Sequence, residues 1–544
     1  MGRVLDECEH VSADFSADPV HDLRVALRRC RSMADGMMAM DPDPDWKEMK
    51  KAGKRLFQRL GELRDIQIMM EWVDTLHPAP AANVGQVSLR QAQGKLSLAS
   101  GPGEIRADTD VPDAVQTGLR LEQLPPDRDP AALALLAILR QREGEQKHQA
   151  RAALEEFDRK QWRQWSKTLP LRASRIRLGS AVFKHLALER WTTARELHTR
   201  AMRNRSQIAF HTLRIGIKRF RYIVENFLPA EHKAWSNDLK HMQDLLGEVH
   251  DLDVLWTTAL ASHIFPDEAS RQNWHSRIVE ERTKRIDEYR QRTAGPDSLW
   301  LTWRAGLPQG KQIQEVATQR MKLWAKALDP DFAHSERVAR LALELYDCLT
   351  AAGLLGSPSH VLANSATGNG AASDLRSSLY VAALLHDVGK AKGGKRHHKT
   401  SLDLIKAHGT PLGWKPENMA RAAIVARFHA GALPTRSHKS LRDLLPDEQK
   451  TSIQLAAILR LANAFDVAHD GHIRRVKIEN VDAGKRRANG FLRKPAKLGP
   501  NEALVIAAEG FVAGSPTAQA VAAERYLLET VLRRPVVVKA MRGR

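Results

Sequence analysis

The chain has 544 residues, with 84 Lys and Arg against 64 Asp and Glu, for a formal net charge of +20. That length exceeds what one hydrophobic core fills and predicts two or three domains, and 43% hydrophobic residues exclude a disordered chain. No run reaches the ~18 apolar residues of a membrane span, and three cysteines (Cys8, Cys30, Cys348) without CxxC spacing exclude a disulfide scaffold and a thiolate zinc site.

The acids near Met1 do not suit a signal peptide, so a reducing cytoplasm is the expected setting, without membrane insertion. Up to about Arg304 apolar residues recur at three and four spacings, which predicts helices separated by prolines. One stretch, 78–130, is rich in Pro, Ala, Gly and Gln and reads as a mobile insertion. Helical periodicity resumes at Ala131 and passes Trp300. A Gly/Ser/Asn/Ala run, 353–373, reads as a long surface loop, and Val476–Val481, Ala503–Ala508 and Pro535–Lys539 read as strands around a helix over Ala518–Leu532. The expected fold is mainly α: a two-halved helical bundle over 1–304, a helical domain over 310–472, and a small α+β tail over 473–544 packed on it.

The basic excess is clustered. Arg159 to Tyr222 holds 17 Lys and Arg against two acids, Glu189 and Glu196, and Lys390 to Arg442 holds 12 against two, Asp403 and Glu417. Solubility favours mixed signs, so this density points to a polyanionic partner.

An internal repeat lies within the first part. HDLRVALRRCR from His21 recurs as HTLRIGIKRFR from His211, and LGELRDI from Leu60 recurs as LGEVHDL from Leu246, at His-to-Gly intervals of 40 and 36 residues. At ~100° per residue, His21, Arg24, Arg28 and Arg31 share one quadrant of a helix, with Leu23, Leu27, Cys30 and Ala34 opposite. The second copy aligns His211, Arg214, Lys218 and Arg221 against Leu213, Ile217 and Phe220. Like charges so spaced repel by a few tenths of a kcal/mol per pair, so the ladder calls for counter-charge, from acids of other helices or from a bound polyanion. Its repetition favours the latter, and the lack of aromatics within the stripe disfavours a base-stacking nucleic-acid platform.

These paired motifs resemble the CHAD domain, the conserved-histidine α-helical domain that binds inorganic polyphosphate in a basic tunnel between two helical halves. The resemblance implies that His21, Arg24, Arg28, Arg31, His211, Arg214, Lys218, Arg221 and Tyr222 line that pore.

Further along, Leu384-Leu-His386-Asp387-Val-Gly-Lys390 places an adjacent imidazole and carboxylate at the end of an apolar helix. Such a pair suits a divalent cation of intermediate hardness (Mn, Mg, Fe or Zn) once other ligands join it. Candidates are His334 and Asp466, with His397, His398, His429 and Asn463 as further ones. The series resembles the HD superfamily of metal-dependent phosphohydrolases. HSERVARLALELYD, AALLHDVGK, HHKTSLDLI, ARFHAGALP and LAAILRLANAFDVAH are similar, in order, to the C-terminal HD-like domain of the exopolyphosphatase/guanosine pentaphosphatase family.

The resemblance implies that His334, His386, Asp387 and a late acid bind the metal. Asn463 stands where the superfamily has its last Asp, with Asp466 a turn away. His386, Asp387 and Lys390 would be catalytic, and Lys399 and Arg427 would contact phosphates. Gly389-Lys-Ala-Lys-Gly-Gly394-Lys395 mimics a phosphate-binding loop, but Arg396 occupies its Ser/Thr slot and a helix precedes it.

The chain is therefore expected to bind polyphosphate, free or in granules, and to hydrolyse polyphosphate or a phosphorylated nucleotide at a metal site. The rivals are a non-catalytic scaffold that targets polyphosphate and an RNA binder.

Overall fold

The computed structural model describes residues 1–77, 129–355, 368–479 and 502–541. The insertion expected over 78–130 lies outside the described residues except at its end, where Asp129 caps the next helix by accepting from the Ala131 amide.

The first half comprises α1 (Gly2–Ala13), α2 (Ala17–Met37), α3 (Pro44–Ala52), α4 (Lys54–Leu76), α5 (Pro130–Glu155) and α6 (Arg159–Ala173). The second comprises α7 (Ala181–Asn204), α8 (Gln207–Phe227), α9 (Pro229–Ala261), α10 (Glu268–Thr293) and α11 (Leu299–Ala305). The repeat places its basic motifs on α2 and α8 and its LG-containing motifs on α4 and α9. Helix α2 packs on α4 and α8, α8 on α9, and α4 on α9, so the four motif helices are neighbours.

The apolar faces lie where the period puts them. Leu23, Leu27, Cys30 and Ala34 are buried, as are Leu213, Ile217 and Phe220. Both faces enter one core that runs from Val4 to Val316, and the two halves share it. Gly36 makes the close approach of α2 to α8 feasible, because a Cβ there would lie 2.3 Å from the Phe227 ring. A separate apolar cluster joins the ends of α4 and α9 to α5 and α10.

The C-terminal part follows as α12 (Lys311–Leu328), α13 (Phe332–Ala351), α14 (Gly368–Leu385), a 3-10 turn (Val388–Lys392), α15 (His397–His408), α16 (Pro416–Arg427) and α17 (Pro446–Phe465). Its core begins at Ala317, one residue past the end of the first, so α12 is the helix that both cores share. A polar joint reinforces the connection. Arg320 of α12 pairs with Glu189 of α7 (2.7 Å) and donates to His185 Nδ1 (2.9 Å), whose Nε2 donates to the Leu412 carbonyl (2.9 Å).

Helix α14 starts at Gly368, inside the stretch expected to be loop. Its Gly, Asn and Ser residues have weak helical preference, but Leu375 and Leu379 pack on the second core and draw the segment into helix.

The tail is β1 (Arg475–Ile478), β2 (Leu504–Glu509), α18 (Pro516–Leu532) and β3 (Val536–Ala540). Strand β1 pairs antiparallel with β2, and β2 pairs parallel with β3 through the α18 crossover. The observed strands lie within about a residue of the expected ones where described; residues 480–501 fall outside the description. The tail docks on the helical domain through α18 against α17, where Arg460 holds Glu524 (2.6 Å).

Candidate binding groove and metal centre

Between α2 and α8 the two cationic stripes face each other. Arg24, Arg28, Arg214 and Lys218 are all half-buried, and the three guanidinium charges lie close enough to act on the Lys218 ammonium. Burial first, then Arg214, Arg24 and Arg28, push the Lys218 ammonium down to about 7. The Nε atoms of Arg24, Arg28 and Arg214 are buried without hydrogen-bond partners among the described residues. The nearest counter-charge is sparse: Arg24 lies 3.8 Å from Asp65. Asp251 is pushed up to about 6, mainly by burial, against the pull of Arg214. The groove is thus a wall of positive charge with too few acids to neutralise it.

Not every member of the stripe points into this centre. Arg31 donates to the Lys50 carbonyl (2.6 Å) and lies over the Phe57 ring, and Arg221 sits 3.9 Å from Glu225. His211 is 3.3 Å from His250, and burial with Arg214 pushes the latter down to about 4. His21 is exposed near Arg64, at the edge.

Several participants escaped the sequence reading: Phe57, Arg64, Asp65, His250 and Asp251. All but Phe57 lie in the LG motifs of the repeat, whose recurrence marks them; Phe57 had no such signal. Aromatics do meet the stripe, but across helices and as partners of cations: Phe57 takes Arg24 and Arg31, and Tyr222 takes Arg28 at 5.4 Å.

In the C-terminal domain the termini of five helices converge. His386 follows α14, its Nδ1 donating to the Ala383 carbonyl (2.7 Å), and its buried Nε2 has no hydrogen-bond partner among the described residues. His429 follows α16 with Nδ1 on Ala426 O (2.7 Å), and His397 opens α15 with Nδ1 on Gly394 O (3.1 Å). With Nδ1 donating to a carbonyl, each imidazole turns Nε2 toward Asp387, as a lone pair when the ring is neutral and as a donor when it is charged, and the Asp387 contact favours the charged form of His397. The distances to that carboxylate are 3.3 Å from His386, 3.2 Å from His397 and 3.6 Å from His429. His397 Nε2 and His429 Nε2 face each other at 3.0 Å, which requires a proton or a cation between them.

Two clusters result, His334–His386–Asp387 and Asp387–His397–His429, each with its ligand atoms within 4.8 Å of one another. Asp387 belongs to both. Burial raises its carboxyl, but His386, His397 and His429 hold it well below the usual carboxylate range. Lys390 Nζ reaches its Oδ2 at 2.5 Å. An orphaned buried Nε2 beside a charged carboxylate is the donor chemistry of a divalent site, and these residues fit such an ion.

Asp466 stands behind this centre. Its Oδ2 accepts from His334 Nδ1 (2.7 Å) and Arg337 (2.9 Å), and its Oδ1 accepts from the Gly471 amide (3.0 Å). Both oxygens are therefore engaged, and the residue facing His334 Nε2 is Asn463, at 3.0 Å. His469, which the sequence did not single out, stacks on His334 at 3.8 Å.

Beside the centre lie His398, pushed down to about 4 by burial and Arg427, and Arg427 itself, 4% exposed with a buried unpartnered Nη1. Lys399 is exposed at the rim. The glycine-lysine run is no phosphate loop: Gly389 is required because a Cβ would lie 2.1 Å from the His397 carbonyl, where the 3-10 turn crosses α15.

Among the described residues no helix is long and apolar enough to cross a membrane. No curated protein matches the chain at a significant level. Residues 2–260 match the CHAD domain and residues 317–505 match the Ppx/GppA phosphatase, domain III, so the chain matches a CHAD domain fused to a Ppx/GppA-like C-terminal domain, a pairing that suggests polyphosphate-related function.

Proposed function

We propose that the chain binds inorganic polyphosphate along the groove between α2 and α8 and hydrolyses polyphosphate or a phosphorylated nucleotide at the His386–Asp387 centre. The observation that carries the binding half is the meeting of Arg24, Arg28, Arg214 and Lys218 with three buried guanidinium nitrogens unpartnered. Desolvated donors without acceptors are unfavourable, and a chain of phosphates supplies acceptors along the whole stripe. RNA fits less well, since Phe57 and Tyr222 lie against arginines. In a cell such a chain would sit where polyphosphate is, in the cytoplasm or on granules.

At the second centre His334, His386, Asp387 and Asn463 would hold one divalent ion, and Asp387, His397 and His429 a second. Such an ion supplies Lewis acidity toward a phosphoryl group. The protein's share is to orient the imidazoles through their Nδ1 donors and to bind phosphate oxygens with Arg427, Lys399 and Lys390. Asp466 keeps the His334 ring in place. A non-catalytic reading rests on one observation: Lys390 and His397 already pair with Asp387, so protons can stand in for metal there.

The binding test is Arg214→Glu with Lys218→Glu. Polyphosphate affinity should fall by at least a hundredfold while far-UV circular dichroism is kept; native helicity with unchanged affinity refutes the groove. Metal analysis of the purified protein, with and without His386→Ala, separates the catalytic reading from the scaffold.

A further inference from the structure

A cavity of about 410 Å³ opens between α7 and α10 in the second helical half. Arg195, Arg205 and Arg290 line it with His198, and among the described residues no acid does. Arg290 is partly neutralised by Asp287 at 3.2 Å. Arg195 lies over the Trp300 ring (5.6 Å to its centroid), and its Nη1 is buried without a hydrogen-bond partner among the described residues. His198 is 8% exposed and hydrogen-bonded through Nδ1 to the Tyr289 hydroxyl (2.9 Å). Burial, then Arg195, push it down to about 4, so it stays neutral. The remaining wall includes Met202 and Leu301, and Leu301 is 55% exposed.

This cavity is distinct from the polyphosphate groove. Phe220, on the apolar face of α8, touches Trp303 (5.7 Å), Trp303 touches Trp300 (5.3 Å), and Trp300 touches His198 (5.3 Å). An aromatic layer therefore stands between the α8 stripe and the cavity.

A half-buried guanidinium with one buried, unpaired donor, in a site lined by no acid among the described residues, is unfavourable by itself and complementary to a phosphate. The volume lies within the range of small-ligand sites, roughly 300–1,000 Å³, and exceeds what one phosphate fills. An exposed leucine beside three arginines gives such a ligand a place for an apolar body. We propose that this cavity binds a phosphorylated small molecule, a mono- or diphosphate ester. Its phosphate is held by Arg195, Arg205 and Arg290, and its body rests on Met202 and Leu301.

The test is calorimetric titration of the full chain carrying Arg214→Glu and Lys218→Glu, which disables the groove, with ADP and with pyrophosphate in excess EDTA. One ADP should bind per chain, and more tightly than pyrophosphate. Adding Arg195→Gln or Arg290→Glu should weaken ADP by at least tenfold. Arg290 is on the surface, so its replacement keeps the fold even if Arg195→Gln does not. Absence of ADP binding, or ADP binding unchanged by Arg290→Glu, overturns the site. Pyrophosphate binding as tightly as ADP overturns the apolar seat and with it the ester.

Discussion

Two side chains concentrate the chemistry at the residue scale. Asp387 is the carboxylate common to both imidazole clusters, so Asp387→Asn removes a shared charge and should lower divalent-metal content at least tenfold. Polyphosphate affinity should barely change, because the groove lies in another core; plasma emission spectrometry and a filter-binding titration report the two. Asn463→Asp gives the complementary result, a rise in metal affinity, because its amide already faces His334 Nε2. Lys218 makes the groove pH-sensitive. Burial and three arginines hold its ammonium at about 7 when free, whereas a bound polyanion restores the charged form. Binding above pH 7 must then take up a proton, and affinity falls as pH rises, by at most about tenfold per unit. Titrations at pH 6.5, 7.5 and 8.5 should show this slope, and Lys218→Arg should flatten it.

At the scale of the element, α8 shows one helix serving two opposed demands. Its apolar face anchors the core with Leu213, Ile217 and Phe220 buried, and Leu213→Ala should cost about 2–5 kcal/mol, read from the urea midpoint. One position along, Arg214 has a buried Nε without a partner and like charges as neighbours. Arg214→Ala should therefore be neutral or stabilising without polyanion, and should lose the stabilisation that added polyphosphate gives the parent protein. A stripe that is unfavourable in the free chain and favourable in the complex is expected of a binding element rather than a structural one.

At the scale of the molecule, α12 and the Arg320–Glu189–His185–Leu412 joint tie the two cores together. Because His185 accepts from Arg320 at Nδ1 and donates from Nε2, it must be neutral, and burial with Arg320 lowers it. His198 and His250 are likewise held at about 4. An imidazole depressed in the folded state contributes stability above its unfolded value of about 6.5. That contribution is lost as pH falls toward the folded value. Urea midpoints should therefore drop between pH 7 and pH 4.5, and His185→Gln, which keeps a donor and an acceptor, should lessen the slope.

The repeat, the two-faced helices α2 and α8, and the His-Asp turn after α14 were legible in the sequence, because helical period converts spacing along the chain into position around a cylinder. For the same reason the apolar faces needed no tertiary information. What the tertiary structure decided were the meetings between residues far apart in the chain. Phe57 was brought under Arg24 and Arg31 by the packing of α4 on α2. Asp466 was turned to the back of His334 by Arg337 and the Gly471 amide, leaving Asn463 in front. Arg320 found Glu189 across more than a hundred residues, and Arg195 was laid over Trp300 at the edge of its cavity. Such pairings depend on which helix ends a fold brings together and which lone pairs it leaves open, and no local period encodes either.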